Sequence, residues 1–247
     1  MPAAPSIAVI IPVRNGMPLL EETLASIRAQ NYPLEIAVIN DGSSDGTGEY
    51  LRSLNGACSH VLELEGRGPS AARNAGIRAT RSEYVAFLDA DDLWPPGTLY
   101  TLAKALSENP AAGIAQGLIR NFRTDARGAK QFFTPPYRFI NLGACLWRRS
   151  VFDTVGLFDE EMALCEDLDM ILRCWEKDVR KAEVNVVTLH YRRHPGNITR
   201  GLSGAGFGTV KAYKRRIERI RRGEYDPSTR PQTDGSAYIG VPPPSQD

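Results

Sequence analysis

The chain has 247 residues, 42% hydrophobic and 24% charged, and its thirty Lys and Arg against twenty-nine Asp and Glu leave a formal charge of +1. This is the composition of one large or two small globular domains with room for a sizeable core, and the balance excludes a uniformly basic nucleic-acid binder and an acidic solvating chain. No apolar run approaches the about 18–20 residues that span a bilayer, no basic leader precedes the short apolar run near the start, and the four cysteines (Cys58, Cys145, Cys165, Cys174) lack zinc-ligand spacing, so buried thiols in a reducing cytoplasm are expected.

The first 110 residues alternate. Ile7–Val13 is a continuous apolar run rich in β-branched residues, as a strand buried on both faces requires. Leu19–Ala29 carries Leu20, Leu24 and Ile27 at helical spacing, with Glu21 and Glu22 near its positive end. Strand Leu34–Ile39, helix Gly46–Leu54, strand His60–Leu64, helix Pro69–Thr80 and strand Tyr84–Leu88 follow. Strands alternating with helices predict an α/β fold with a mostly parallel sheet and right-handed crossovers. Ligands of such sheets bind outside the carboxyl ends of the strands. The second half is less regular: helix Pro96–Glu108, strand-like Ala112–Phe122, a loop or hairpin over Arg123–Tyr137, a short segment Ala144–Trp147, a helix from Glu166 to Lys177 and a strand Glu183–Tyr191. From Glu224 onward, Pro, Gly, Ser and Thr predict a loosely held tail.

The polar residues gather at strand ends. Pro12-Val13-Arg14-Asn15-Gly16 follows the first strand and Asn40-Asp41-Gly42-Ser43-Ser44-Asp45-Gly46-Thr47 the second. Asp45 suits a helix cap. Asp41, the first carboxylate after the apolar run, is free to accept hydrogen bonds from a nucleobase or a ribose. Asp89-Ala90-Asp91-Asp92 after the fourth strand packs three carboxylates into four residues. Their mutual repulsion is what a hard divalent cation relieves, and Mg²⁺ or Mn²⁺ keeps positions open for substrate phosphates. The alternative there is capping of the helix beyond Pro95-Pro96. Gly68-Pro69-Ser70-Ala71-Ala72-Arg73-Asn74-Ala75-Gly76 opens a small-residue helix with one cation a turn inside. A P-loop signature and a strand-linked GxGxxG are both absent, which disfavours P-loop and dinucleotide-binding enzymes.

VIIPVRN, VINDGSSDGT, GPSAARNAGI, EYVAFLDADD and CEDLDMILR, in that order over residues 6–200, resemble the inverting family 2 glycosyltransferases of GT-A fold. The resemblance implies a nucleotide-sugar donor, with UDP favoured, one Mn²⁺ or Mg²⁺, and a saccharide, lipid-linked or protein hydroxyl as acceptor. It places Pro12, Arg14, Asn15, Asp41, Arg73, Asp89 and Ala90 around the donor and Asp91 at the metal. Asp167 becomes the general base that takes the acceptor proton, and Glu166 orients it or holds acceptor hydroxyls. His194, in LHYRRHPGNITR, is a candidate to complete the metal shell, and Arg192, Arg193 and Arg200 stand near the expected diphosphate. Some relatives carry a Trp- and Gly-rich lead-in where Met162-Ala163-Leu164-Cys165 stands here. The division that follows is a GT-A domain over 1–200, with a donor half at about 6–110 and an acceptor half at about 111–200, then a basic helix over 201–223 and a flexible tail over 224–247. A nucleotidyltransferase and a non-catalytic nucleotide-sugar-binding module are the alternatives. The first would want a Gly-rich basic loop that Pro12–Gly16 lacks; intact Asp89, Asp91 and Asp167 count against the second.

The near-neutral total is a cancellation. Residues 190–223 hold ten Lys and Arg and one acid, leaving twenty basic and twenty-eight acidic residues elsewhere. Within that segment Val210, Tyr213, Ile217 and Ile220 form one apolar stripe at helical spacing. The stripe is expected to dock on the domain with the basic face solvated. Peripheral contact of residues 210–222 with an anionic membrane at its inner, cytoplasmic face, or with an acidic partner, is the alternative. Gly201–Gly208 would let this segment close over the donor as a lid.

Overall fold

The seven apolar residues Ile7–Val13 form the central strand β1 of the computed structural model, which describes residues 5–54, 56–162, 164–197, 207–229 and 234–242. Parallel ladders join β1 to β2 (Leu34–Asp41) and to β4 (Tyr84–Phe87), and β2 to β3 (His60–Leu64). Helices α1 (Leu19–Arg28), α2 (Thr47–Ser53) and α3 (Pro69–Ala79) make the crossovers between them. Beyond β4 the sheet becomes mixed. β7 (Cys145–Arg148) runs antiparallel to both β4 and β5 (Ala112–Thr124). β6 (Lys130–Phe132) pairs antiparallel with the far end of β5, and β8 (Arg180–Arg192) lies parallel along it. The order is β3-β2-β1-β4-β7-β5-β6, with β8 on β5. This is the mixed, mostly parallel α/β sheet flanked by helices that the sequence predicts.

Alternation along β1 builds two cores. Ile7, Val9, Ile11 and Val13 pack with Leu20, Leu24 and Ile27 of α1 and with Leu99, Leu102 and Leu106 of α4 (Thr98–Glu108). Ile10, with Ile39 and Phe87, packs on the other face with Ala72 and Ile77 of α3, Phe152 of α5 (Ser150–Val155), and Met170 of α6 (Glu166–Glu176). Small residues let α3 lie close on the sheet. A Cβ at Gly76 would overlap Ile10 and stand 3.0 Å from Ile39 Cδ1. Overpacking of this kind costs about 1–3 kcal/mol, so Gly76→Ala is expected to lower the thermal midpoint by several degrees in a calorimetric scan. An unchanged midpoint would show that α3 slides to accommodate the methyl group.

Elements differ from expectation where the signals are short or non-local. α5 spans six residues, too few for a period to register, and β8 begins at Arg180 rather than Glu183. The segment from Glu224 is not a loose tail in its described part. Tyr225 and Tyr238 are buried, the Tyr238 hydroxyl donates to the Val179 carbonyl (2.7 Å), and the Val241 amide bonds the Arg138 carbonyl (2.9 Å). Among the described residues, no helix is long and apolar enough to cross a membrane.

The basic helix α7 (Phe207–Arg221) docks the reverse way from the expected one. Three of its four stripe residues point outward, Val210 being 64%, Ile217 49% and Tyr213 46% exposed, while Ile220 is half-buried. Its inner face is Ala212, fully buried beside Met162 and Leu172, together with arginines. Arg219 pairs with Asp169 and Glu176 of α6, both at 2.8 Å. Arg216 pairs with Glu176 (3.2 Å), and Arg215 pairs with Asp159 (2.7 Å) and Glu161. Asp169 and Glu176 are almost wholly buried, and buried carboxylates need charged partners more than a stripe of aliphatic residues needs cover.

Candidate active site

Strand order turns at β1, with β2 and β3 to one side and β4 to the other, so a crevice opens beyond their carboxyl ends. The first two strand-end turns are stitched together. Asn15 takes a left-handed conformation (φ 55), which Asn tolerates. Its amide donates to Ser43 Oγ (2.9 Å) and its Oδ1 accepts from the Ser44 amide (2.8 Å). The Gly16 amide bonds Thr47 Oγ1 (3.0 Å) and the Met17 amide Asp45 Oδ2 (2.9 Å). Asp45 also accepts from the Thr47 amide (3.1 Å) at the start of α2, whose cap position is Gly46 and not Asp45 as expected, and its hydrogen bonds outweigh burial to hold its carboxyl below the usual range. Pro12 is half-buried beside Ile39, and the exposed Arg14 lays its guanidinium against Gly66.

Asp41 is 4% exposed, and its two oxygens accept the amides of Arg67 and Gly68, each at 2.7 Å. It therefore ties the end of β2 to the entry of α3 rather than projecting freely. Each oxygen keeps a further lone pair for a ligand.

The acidic turn after β4 is clamped from both sides. The buried Thr23 hydroxyl of α1 lies 2.9 Å from the Ala90 carbonyl and 3.0 Å from that of Asp92. From the end of β8, the Arg192 amide donates to Asp92 Oδ1 and its Nε to the Asp91 carbonyl, both at 2.7 Å. The Arg192 guanidinium also pairs with Glu22 and bonds Thr124 Oγ1 (2.7 Å). Arg192 is 3% exposed, so it braces the turn and is not free to grip a diphosphate, contrary to expectation. Nor is Asp92 a helix cap: it is buried, and burial with the charges of Asp91 and Asp89 pushes its carboxyl well up. Asp91 is also raised, by burial and by Asp89. His194 Nε2 stands 2.8 Å from Asp91 Oδ2, and Asn197 Nδ2 3.4 Å from the same oxygen. His190 points elsewhere. It packs edge-on against Phe132 (4.6 Å), and burial lowers it to about 4.

Arg73 is the node of the cluster. Its side chain is almost fully buried, with Nη2 2.8 Å from Asp89 and Nη1 2.6 Å from Glu166. One planar fork thus joins the turn after β4 to the first turn of α6, ninety-three residues apart in Arg73–Glu166. Asp167, beside Glu166, has no ion pair among the described residues and accepts the Leu168 amide (2.7 Å). Burial, then the charge of Glu166, raises its carboxyl to about 7, against the lowering pull of Arg73. Among the described residues no three His, Cys, Asp or Glu converge on a metal-sized site; Asp91 and His194 are a pair.

The structure brings Arg73, Asp89, Glu166 and Asp167 into one cluster and sets Asp91 with His194 beside it. Pro12, Arg14, Asn15 and Asp41 line the neighbouring strand ends. Sequence reasoning missed the braces: Thr23, Glu22, and Asn74, whose side chain bonds both the N–H and the C=O of Phe158 (2.9 Å each) and so fixes the lead-in to α6. Only Asn74 carried a visible signal, as a polar residue inside a small-residue helix. Arg200 and residues 201–206 of the expected lid lie outside the described residues.

The chain matches the family model described as Glycosyl transferase family 2 over residues 8–157. It is 27% identical over 217 residues to the uncharacterized glycosyltransferase EpsJ of Bacillus subtilis, covering 79% of this chain and 63% of that protein. It is 30% identical over 206 residues to the succinoglycan biosynthesis protein ExoU of Rhizobium meliloti, covering 72% of this chain and 59% of that protein. The chain therefore spans less than two thirds of either relative. In fold it is similar to S. aureus TarS 1-349 in complex with UDP-GlcNAc, with a TM-score of 0.68 at 22% identity over 90% of this chain and 67% of that one.

Proposed function

The chain belongs to glycosyl transferase family 2, and from that premise we propose that it transfers a sugar from a nucleoside-diphosphate sugar to a hydroxyl acceptor with inversion. The observation that carries this reading is the Arg73 fork, which links the acidic turn at the donor crevice to the helix start bearing a carboxyl poised at about 7. Asp167 takes the acceptor hydroxyl proton as the oxygen bonds the anomeric carbon. The bond from that carbon to the phosphate oxygen breaks on the opposite face, and its electron pair leaves with the diphosphate. Glu166, locked to Arg73, positions Asp167 and the acceptor. Asp41, with the Arg67–Gly68 amides it holds, Pro12, Arg14 and Asn15 form the nucleotide side, while Asp89 and Ala90 face the ribose and phosphates and Arg73, locked to Asp89 and Glu166, supports them from behind.

Asp91 and His194 would hold one Mn²⁺ or Mg²⁺. Two raised carboxyls in one turn, with an imidazole nitrogen 2.8 Å from Asp91, fit a cation that would relieve their repulsion. Its chemistry there is to stabilise charge on the leaving group. A UDP-sugar is the favoured donor, in keeping with the UDP-GlcNAc complex above; the similar fold of mannosyltransferase PcManGT from Pyrobaculum calidifontis was solved with GDP-Man and Mn²⁺. The acceptor is a saccharide, lipid-linked or protein hydroxyl.

A panel of nucleotide sugars with Mn²⁺, scored by thermal shift, tests the donor. The true donor at about 100 times its Kd stabilises the fold by about 2.7 kcal/mol, and Asp91→Asn removes the Mn²⁺-dependent part. Proton NMR of the product then reads the anomeric configuration. Retained configuration, or a panel in which nothing stabilises, overturns the reading.

A further inference from the structure

We infer that the outer face of α7 is a docking surface for an anionic phospholipid bilayer, on which the protein sits peripherally with this helix flat in the interface. The inference does not rest on the transfer reaction. Its first observation is orientation. Helix α7 is held to the body through Arg215, Arg216 and Arg219 and through buried Ala212, so it cannot roll to bury its stripe without breaking ion pairs to Asp159, Asp169 and Glu176. The stripe is thereby fixed outward, with Val210, Tyr213 and Ile217 half to two-thirds exposed on one side of a 15-residue helix.

The second observation is charge. At 100° per residue, Lys214 and Arg221 fall beside Val210 and Ile217 on the same outward face. Both are exposed and have no carboxylate partner among the described residues. The inner arginines are neutralised and the outer cations are not. An apolar stripe bearing an interfacial tyrosine, bordered by unpaired Lys and Arg, is the chemistry that binds a surface of acyl chains under anionic headgroups. A second copy of this chain would bring the same cations face to face across a two-fold axis and be repelled. An acidic protein would satisfy the cations but gains nothing from solvated Val, Tyr and Ile unless it also carries an apolar groove.

The test is co-sedimentation of the whole chain with phosphatidylcholine vesicles, with and without phosphatidylglycerol. The expected result is binding to the anionic vesicles only, weakened by added salt. Lys214→Glu with Arg221→Glu should reduce the partition coefficient at least roughly 30-fold. Val210→Ser, Tyr213→Ser and Ile217→Ser together should reduce it on the order of 100-fold. These side chains are exposed, so far-ultraviolet circular dichroism should be unchanged. If the triple variant misfolds, the charge variant decides alone. Absence of binding to anionic vesicles, equal binding to neutral ones, or wild-type binding by the charge variant overturns the proposal. So does a concentration-dependent dimer, seen by light scattering, that the stripe substitutions abolish, since the face would then belong to a second copy.

Discussion

Asp167→Asn is expected to lower the rate of sugar transfer by ~10²–10⁴-fold while leaving nucleotide and Mn²⁺ binding near wild type. The substitution preserves shape and removes only the capacity to accept a proton. The accompanying pH profile is the sharper test. A carboxyl raised to about 7 by burial and by Glu166 is a base only when ionised. The kcat/KM of the wild-type chain should therefore fall as pH drops through about 7, and the residual rate of Asp167→Asn should lack that limb. Single-turnover kinetics separates the chemical step from binding. Unchanged turnover would remove Asp167 from the base role, and a loss confined to donor affinity would move it to the donor side.

Continuous β-branched runs before acidic turns mark β1, β2 and β4, since a strand buried on both faces has no room for polar side chains until it ends. The crevice follows from that alternation, and Asp41, Asp89, Asp91 and Glu166-Asp167 were visible as its edge. What fixes them was not. Arg192 reads as a phosphate-facing cation, yet Glu22, at a sequence distance of 170, captures it. The period in α7 locates the helix correctly, yet amphipathicity alone orients it wrongly, because Asp169 and Glu176, which draw Arg216 and Arg219 inward, are themselves buried in α6. β7 enters the sheet between β4 and β5 by pairing that only the fold creates. In each case a non-local charge or ladder outweighs a local preference.

Arg73 is where the same logic has its largest consequence for stability. Arg73→Met leaves Glu166, only 12% exposed, without its cation beside Asp167, and leaves Asp89 facing both. Removing one partner of a buried pair costs about 3–5 kcal/mol. The bond to Asp89, which is 47% exposed, adds little because water screens it. A loss of about 3 kcal/mol corresponds to a thermal midpoint lower by roughly 6–12 °C for a chain of this size. The deficit should depend on pH with a definite sign. Without the cation Asp167, already raised to about 7 by burial and by Glu166, holds its proton still more tightly in the folded chain than in the unfolded one, so the variant regains stability as pH falls from about 8 towards about 5. The same change raises Asp167 further, so the acid limb of the residual activity moves to higher pH. Arg73→Lys discriminates between charge and shape. It keeps the charge but offers a single ammonium in place of a planar fork, so it should recover part of the stability and little of the rate. Full recovery of both would mean that charge alone suffices and that the fork does not position Glu166. A variant as stable as wild type at every pH would show that water reaches the cluster freely, and the raised carboxyl at Asp167 would lose its physical cause.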